Sequence, residues 1–236
     1  MSKHISVITG ASRGIGKAIA LRLAEEGHNL VIIARNKEKL NETKNELENK
    51  GAEVLTFAGD VADENFVNHT VDKIYDKFGK VDHMINNAGV SVFDKLIDSK
   101  LEDFKRQIDT NIIGVYNFSK AVAAKFIEAK SGSIINIASL AGKNGFSGGT
   151  MYSATKHAVL GFSKSLMQEL REYDIRVAAV CPGSVATEFL MNSSRKPDKP
   201  EKLLSPGDVA EVVSTIIKLP PRALVNDIEI RPTNPK

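Results

Sequence analysis

The sequence predicts one α/β domain: a doubly wound parallel sheet of about seven strands with helices on both faces. Short apolar β-rich runs alternate with longer segments of helical period. These runs are nearly unbroken Val/Ile/Ala stretches rather than the in–out alternation of a half-exposed sheet, which marks parallel strands covered on both sides. No Pro/Gly/Ser linker and no internal repeat divides the 236 residues, so residues 1–236 are expected to form a single domain.

Strands are expected at residues 4–9, 29–34, 53–57, 82–86, 133–138, 175–180 and 228–230. Helices are expected at 15–26, 37–50, 63–78, 101–129, 151–173 and 208–218. Right-handed crossovers between such elements give the doubly wound arrangement. The irregular, proline-containing stretch 192–206 reads as a surface loop, and 187–206 as a mobile substrate loop within the domain.

Composition narrows the partners. The 32 basic and 29 acidic residues are intermixed and leave a formal charge of +3. That balance argues against nucleic acid or an anionic membrane, while leaving room for a local cationic site. Cys181 is the only cysteine, which excludes an intramolecular disulfide and fits a reducing compartment. Followed by Pro182, it reads as a small buried side chain rather than a nucleophile. The opening MSKHISVITG passes straight into a strand with no targeting segment, and no apolar run approaches the ~18 residues of a membrane span. A cytoplasmic location is expected. No G-x-S-x-G elbow and no zinc-type ligand spacing occurs, and the five histidines have no Ser/Asp partner at recognised spacing, so no metal is expected.

The first strand runs into Thr9-Gly10-Ala11-Ser12-Arg13-Gly14-Ile15-Gly16 and then a helix. Glycines let the backbone turn sharply and approach a ligand, and a helix start offers unpaired N–H groups at the positive end of its dipole. Together they make a phosphate cradle where open α/β sheets bind dinucleotides. A purely structural turn needs one special glycine rather than three. A triphosphate-hydrolysing loop would need G-x-x-x-x-G-K-[ST]; here the spacing is one residue too long and Lys17 is followed by Ala18.

Tyr152 and Lys156 stand i, i+4 at a helix start and so project from one face. A free tyrosine titrates near ~10. A neighbouring ammonium is expected to lower that by roughly 1–3 units, toward the pH at which the phenol exchanges protons readily. Ser139 ends the fifth strand at the C-terminal edge of the sheet, placed to donate to a carbonyl oxygen. Each has a plainer reading alone: a surface Tyr–Lys pair, a serine cap and, at Asn111, a solvated mid-helix amide.

These motifs keep a fixed order: Gly10, Gly14 and Gly16 as G-x-x-x-G-x-G; Asp60-Val61; Asn86-Asn87-Ala88-Gly89; Asn111; Ser139; Tyr152 to Lys156; Pro182-Gly183 with Thr187. Over nearly the whole chain this resembles the short-chain dehydrogenase/reductase family, in its compact single-domain branch of 3-oxoacyl-acyl-carrier-protein reductases. The resemblance implies a Rossmann-like sheet, a nicotinamide dinucleotide, and hydride exchange with a carbonyl or alcohol. It implies Asn111, Ser139, Tyr152 and Lys156 as the catalytic set, with Lys156 also bonding the nicotinamide ribose and Asn111 holding a water that links Lys156 to solvent. To the cofactor it gives Gly10, Ser12, Arg13, Gly14, Ile15 and Gly16; Arg35; Asp60, at the adenine amino group, and Val61; Asn87, Ala88 and Gly89; Tyr152 and Lys156; and Pro182, Gly183, Val185 and Thr187. It also implies a homodimer or homotetramer through helices 101–129 and 151–173, where Val115, Phe118, Val122, Phe126, Phe162 and Leu166 exceed what one sheet face needs. The end of the chain, residues 228–236, lacks the glycine-rich tail through which family tetramers often make contact.

The cofactor is expected to be NADP(H). The second strand ends Ala34-Arg35, without the acidic residue that accepts from a ribose 2′-hydroxyl and repels a 2′-phosphate. Arg35 and Arg13 can clamp that phosphate instead. The expected substrate is a small molecule or acyl thioester: a 3-oxoacyl thioester, a 3-hydroxy acid or a general ketone. Its contacts should come from 91–95, 140–151 and 187–206, which hold Val92, Phe93, Phe146, Met151, Phe189, Leu190 and Met191. Arg195, Lys196, Lys199 and Lys202 form a basic cluster that can attract an anionic substrate or acidic carrier, or simply be solvated. The other function class is a non-catalytic NADP(H)-binding sensor on the same fold, which would have no need of Tyr152 and Lys156.

Overall fold

Seven parallel strands form one sheet in the order β3-β2-β1-β4-β5-β6-β7 in the computed structural model, which describes residues 3–234. The expected ends of the chain, residues 1–2 and 235–236, lie outside the described residues. The strands are β1 (Ile5–Thr9), β2 (Asn29–Ala34), β3 (Val54–Ala58), β4 (His83–Asn86), β5 (Gly132–Ile137), β6 (Ile175–Pro182) and β7 (Asp227–Ile230). The order reverses at β1, with β2 on one side and β4 on the other, and opens a crevice at the C-terminal ends of the central strands. No described helix is long and apolar enough to cross a membrane.

Successive strand residues feed opposite cores. Ile8, Ile32, Ile135 and Val180 pack under α1 (Gly14–Glu25), α2 (Lys37–Glu48) and α8 (Pro206–Lys218). Val7, Val31, Met84, Ile134 and Val177 pack under α3 (Glu64–Phe78), α5 (Gly114–Ala129) and α6 (Thr150–Leu170). Burial on both faces is why the strands read as continuous apolar runs. Buried amides add register. Asn86 donates to Asn136 at 2.9 Å and to Ser119 on α5 at 3.1 Å, and Asn136 donates to Ser163 on α6 at 2.9 Å. A slip of β4 against β5 would strand these groups without partners.

The expected helix 101–129 is continuous but widens once along its length. α4 (Leu101–Ile108) and α5 are joined by a wide π-turn over Asp109–Ile113. Asn111 lies in that turn with its amide directed into the protein, toward Val90 and Thr155. The apolar excess expected to face a partner subunit is also spent differently. Phe118, Val122 and Phe126 are core residues, whereas the exposed large apolar side chains nearby are Leu96, Ile97, Leu101, Ile113 and Tyr116.

The expected substrate loop 187–206 carries the short α7 (Glu188–Met191) and a single turn over Pro200–Lys202. A bridge between Val185 and Leu204 ties its two ends together, so the segment returns to the mouth of the crevice.

Candidate active site

The crevice is a cleft of about 900 Å3. Its phosphate end is built by the glycine loop between β1 and α1. Gly10 and Gly14 have φ of 67° and 55°, a region that glycine enters without strain. A Cβ on Gly10 would sit 2.9 Å from the Ala88 backbone. One on Gly16 would sit 2.4 Å from both the Asn87 amide and the Gly10 carbonyl. Gly16 is thus a packing residue behind the loop, while Gly10, Ser12, Arg13, Gly14 and Ile15 line the cleft. The first turn of α1 contains no acidic residue, and Arg13 at its cap makes no side-chain capping bond. Its N–H donors and dipole are therefore available to an anion.

The loop is fastened to the tail of β4. Asn87 Nδ2 donates to Thr9 O at 2.9 Å and to Gly10 O at 3.2 Å. The Thr9 hydroxyl accepts from the backbone N–H of Asn87 and of Ala88, both at 3.0 Å. Thr9 escaped the sequence reading, since a strand-end threonine carries no signal of the two N–H groups that reach it from another strand. Asn87, Ala88 and Gly89 all line the cleft.

At the next corner stand Asp60 and Val61, after β3. Asp60 accepts from Ala62 N at 3.0 Å, and the Asn117 amide holds the Val61 and Ala62 carbonyls at 3.1 Å. Ala34 and Arg35 line the same corner. So do Lys39 and Glu188, which sequence reasoning missed. The Glu188 carboxylate pairs with Arg13 at 2.7 Å and with Lys39 at 3.5 Å. These cations hold its carboxyl below the usual carboxylate range, Arg13 contributing most. Lys39 lies in the first turn of α2, shortly after Arg35 in the chain.

Ser139, Tyr152 and Lys156 come together at the far end. The backbone of Ser139 is extended, its Oγ accepts from Ala141 N at 3.1 Å, and its hydroxyl is directed at the Tyr152 phenol. Tyr152 and Lys156 sit in the first two turns of α6, both buried. Lys156 Nζ donates to Ile137 O at 2.9 Å and lies 5.8 Å from the centre of the Tyr152 ring. The expected lowering of the phenol does not occur. Burial pushes Tyr152 up to about 12 against the opposing pull of the Ser139 hydroxyl. Burial likewise brings Lys156 down to about 8. Desolvation outweighs the hydrogen bond from Ser139. The result is a phenol that holds its proton at neutral pH beside a mostly charged lysine.

Asn111 sits behind the cleft, fully buried. Its Oδ1 accepts from Val90 N at 2.8 Å, and its Nδ2 donates to Val90 O at 2.9 Å and Thr155 Oγ1 at 3.0 Å. Thr155 in turn donates to Tyr152 O at 2.8 Å. The amide thereby ties the β4 tail to the turn of α6 that carries Tyr152. A Cβ on Gly89 would meet Asn111 Oδ1 at 3.4 Å and Lys156 Nζ at 3.8 Å, so the glycine keeps the space between them open.

Pro182, at the end of β6, and Gly183, Val185 and Thr187 beyond it close the cleft opposite the glycine loop. A Cβ on Gly14 would press on Thr187 Cγ2 at 3.4 Å, so the bare glycine leaves a slot between the two walls. An anion donor set, an adjoining cationic corner and a slot leading to Tyr152 fit an extended dinucleotide phosphate.

Known proteins agree with this geometry. Residues 4–198 match the family model for short chain dehydrogenase. A 3-oxoacyl-[acyl-carrier-protein] reductase of Synechocystis sp. is 38% identical over 198 residues, covering 84% of this chain and 80% of its own. An uncharacterized oxidoreductase of Staphylococcus aureus is 35% identical over 98% of both chains. Among solved structures, an alcohol dehydrogenase from the archaeon Thermococcus sibiricus complexed with 5-hydroxy-NADP superposes with a TM-score of 0.90, at 32% identity, covering 98% of this chain and 97% of that one. The closed form of serine dehydrogenase complexed with NADP+ gives 0.88 at 32% identity, covering 97% and 94%. Sequence order, sheet topology and cleft thus converge on one conclusion: the chain belongs to the short chain dehydrogenase family.

Proposed function

We propose that this protein is an NADP(H)-dependent oxidoreductase that interconverts a carbonyl and an alcohol. The observation that carries the reading is the placement of Tyr152, Ser139 and Lys156 in the same cleft as the glycine loop and a corner with Ala34, Arg35 and Lys39. Bound NADPH supplies the hydride. The chain's part is positional and protic. The Ser139 hydroxyl, which lies against the Tyr152 phenol, donates to the substrate oxygen when one is bound, and the neutral Tyr152 hydroxyl delivers a proton to that oxygen as negative charge builds on it. The Lys156 ammonium stabilises the phenolate left behind. Asn111 acts through Thr155 and Val90 as a positioning residue, and Arg13, Arg35 and Lys39 select the 2′-phosphate. A homo-oligomer is part of this reading, as is a carbonyl or alcohol substrate: a 3-oxoacyl thioester, a 3-hydroxy acid or a general ketone.

Oxidation of NADPH by a panel of ketones and 3-oxoacyl thioesters tests it, with the Tyr152→Phe variant as control. Turnover in the wild type and a loss of at least ~100-fold in kcat in the variant is the expected result. NADPH affinity should be retained. Cofactor binding without turnover of any carbonyl would favour a sensor instead.

A further inference from the structure

The substrate end of the cleft is aromatic. Phe93 meets the Tyr152 ring edge-on at 5.4 Å and Phe146 at 5.9 Å, and Phe189 approaches Tyr152 at 6.1 Å. At the rim of this apolar box stands Arg195, alone of the four basic residues in its stretch in lining the cleft. Its guanidinium lies over the Phe146 ring at 4.4 Å, and its Nη1 donates to Ser147 O at 3.1 Å. Its own backbone N–H donates to Ser193 Oγ at 3.1 Å, and the next-door Ser194 hydroxyl donates to Phe93 O at 2.9 Å. Head and backbone are therefore both held against the pocket wall. No carboxylate among the described residues forms an ion pair with it, in contrast to Arg13 with Glu188.

A guanidinium stacked on an aromatic face directs its N–H groups outward in the ring plane. Only one of these is engaged by Ser147 here, and the remaining fork matches a planar carboxylate. A chain of contacts, Arg195 on Phe146, Phe146 on Phe93 and Phe93 on Tyr152, links the guanidinium to the phenol through apolar surface. We propose that Arg195 is an anion subsite of this cleft, and that the substrate is an oxo acid whose carboxylate is set back from the reacting carbonyl by an apolar body. This inference rests on the carbonyl–alcohol reading given above and specifies its substrate class. A ketone lacking the acid would fill the aromatic box and leave the charge unused.

The test compares para-acetylbenzoate with the neutral para-acetylbenzamide as substrates with NADPH, in the wild type and in Arg195→Gln and Arg195→Lys. The wild type should prefer the acid by about ten-fold or more in kcat/KM, mainly through KM, the scale of one charge-assisted bond. Arg195→Gln should abolish that preference, and Arg195→Lys should restore part of it, since lysine keeps the charge without the planar fork. Equal use of acid and amide by the wild type, or a ratio unmoved by Arg195→Gln, overturns the subsite. Calorimetric titration of the NADPH-loaded protein with para-acetylbenzoate separates the two readings. If neither compound turns over, weaker binding of the acid in Arg195→Gln still supports the anion subsite, while the failure falls on the carbonyl reading. Unchanged binding overturns the subsite.

Discussion

Arg13 and Glu188 meet at 2.7 Å across 175 positions of sequence. The contact joins the glycine loop to the start of α7, and Lys39 completes it from α2. A carboxylate thus already stands among the cations to which a 2′-phosphate would bind.

Removing that carboxylate should tighten NADPH. Glu188→Gln is expected to lower the Kd for NADPH by a few-fold while leaving NADH nearly unchanged, the modest size following from the exposure of the pair. The gain should shrink as salt screens the corner. A weaker Kd for NADPH would mean that the pair closes over the cofactor rather than competing with it.

Ala34→Asp should reverse the cofactor choice. One charge-assisted bond to a phosphate contributes ~1.5–3 kcal/mol, so the wild type should favour NADPH over NADH by roughly 10- to 100-fold. Aspartate would repel the phosphate and accept from the 2′-hydroxyl of NADH. The comparison is kcat/KM for both cofactors at fixed ionic strength. A wild type that prefers NADH, or an unchanged ratio in the variant, would remove Ala34 and Arg35 from the ribose.

Carbonyl reduction should fail on the alkaline side. Lys156 is held near 8 by burial, so its ammonium is present below that pH and lost above it. The kcat for reduction is expected to be level up to about pH 8 and then fall up to ten-fold per unit, as for a single deprotonation. A profile flat to pH 10 would show that the charge of Lys156 is not needed in the proton transfer.

At the opposite end of the sheet, His4, His28 and His83 pack with ring centres 5.3–5.6 Å apart. Ser6 bonds His28 Nδ1 and Ser133 bonds His83 Nδ1, with Asp82, Lys80, Glu26 and Arg176 around the cluster. Burial, reinforced by the neighbouring imidazoles, lowers His28 and takes His83 down to about 3. A folded pKa below the unfolded one means that the unfolded chain takes up the proton first. Stability is then complete above about pH 6.5 and falls as pH drops toward 3, by about 1.4 kcal/mol per unit for His83. Urea unfolding at pH 7 and pH 5 should differ by about 2 kcal/mol, and His83→Gln should reduce the difference. Equal stabilities at the two pH values would refute it.

The parallel sheet was legible because buried strands such as Val7-Ile8 and Val31-Ile32-Ile33 need apolar side chains on both faces. Ser139, Tyr152 and Lys156 were legible because their spacing is local to one strand end and one helix start. What escaped depends on tertiary placement. Glu188 gains meaning only when α7 returns over the glycine loop, and Asn111 widens its helix only because Val90 lies within reach. The phenol of Tyr152 moves up rather than down because a spacing rule places Lys156 on its face but says nothing of how dry that face is. Phe118 and Phe126 read as spare surface because the depth of the core beneath α5 is not written in its own period.

The bonds from Asn87 to Thr9 and Gly10 brace the cradle against the central strands, whereas the segment around Phe189 and Arg195 is tied at its ends by the Val185–Leu204 bridge and reaches the other walls only through side-chain contacts such as Glu188 with Arg13, Ser194 with Phe93 and Arg195 with Ser147. The two halves of the cleft are therefore mechanically unequal. A designer, or evolution, can exchange the 187–206 segment to retarget the enzyme while the dinucleotide end keeps its shape. The reverse operation, rebuilding the cradle beneath a fixed substrate wall, would have to break the framework of the sheet first.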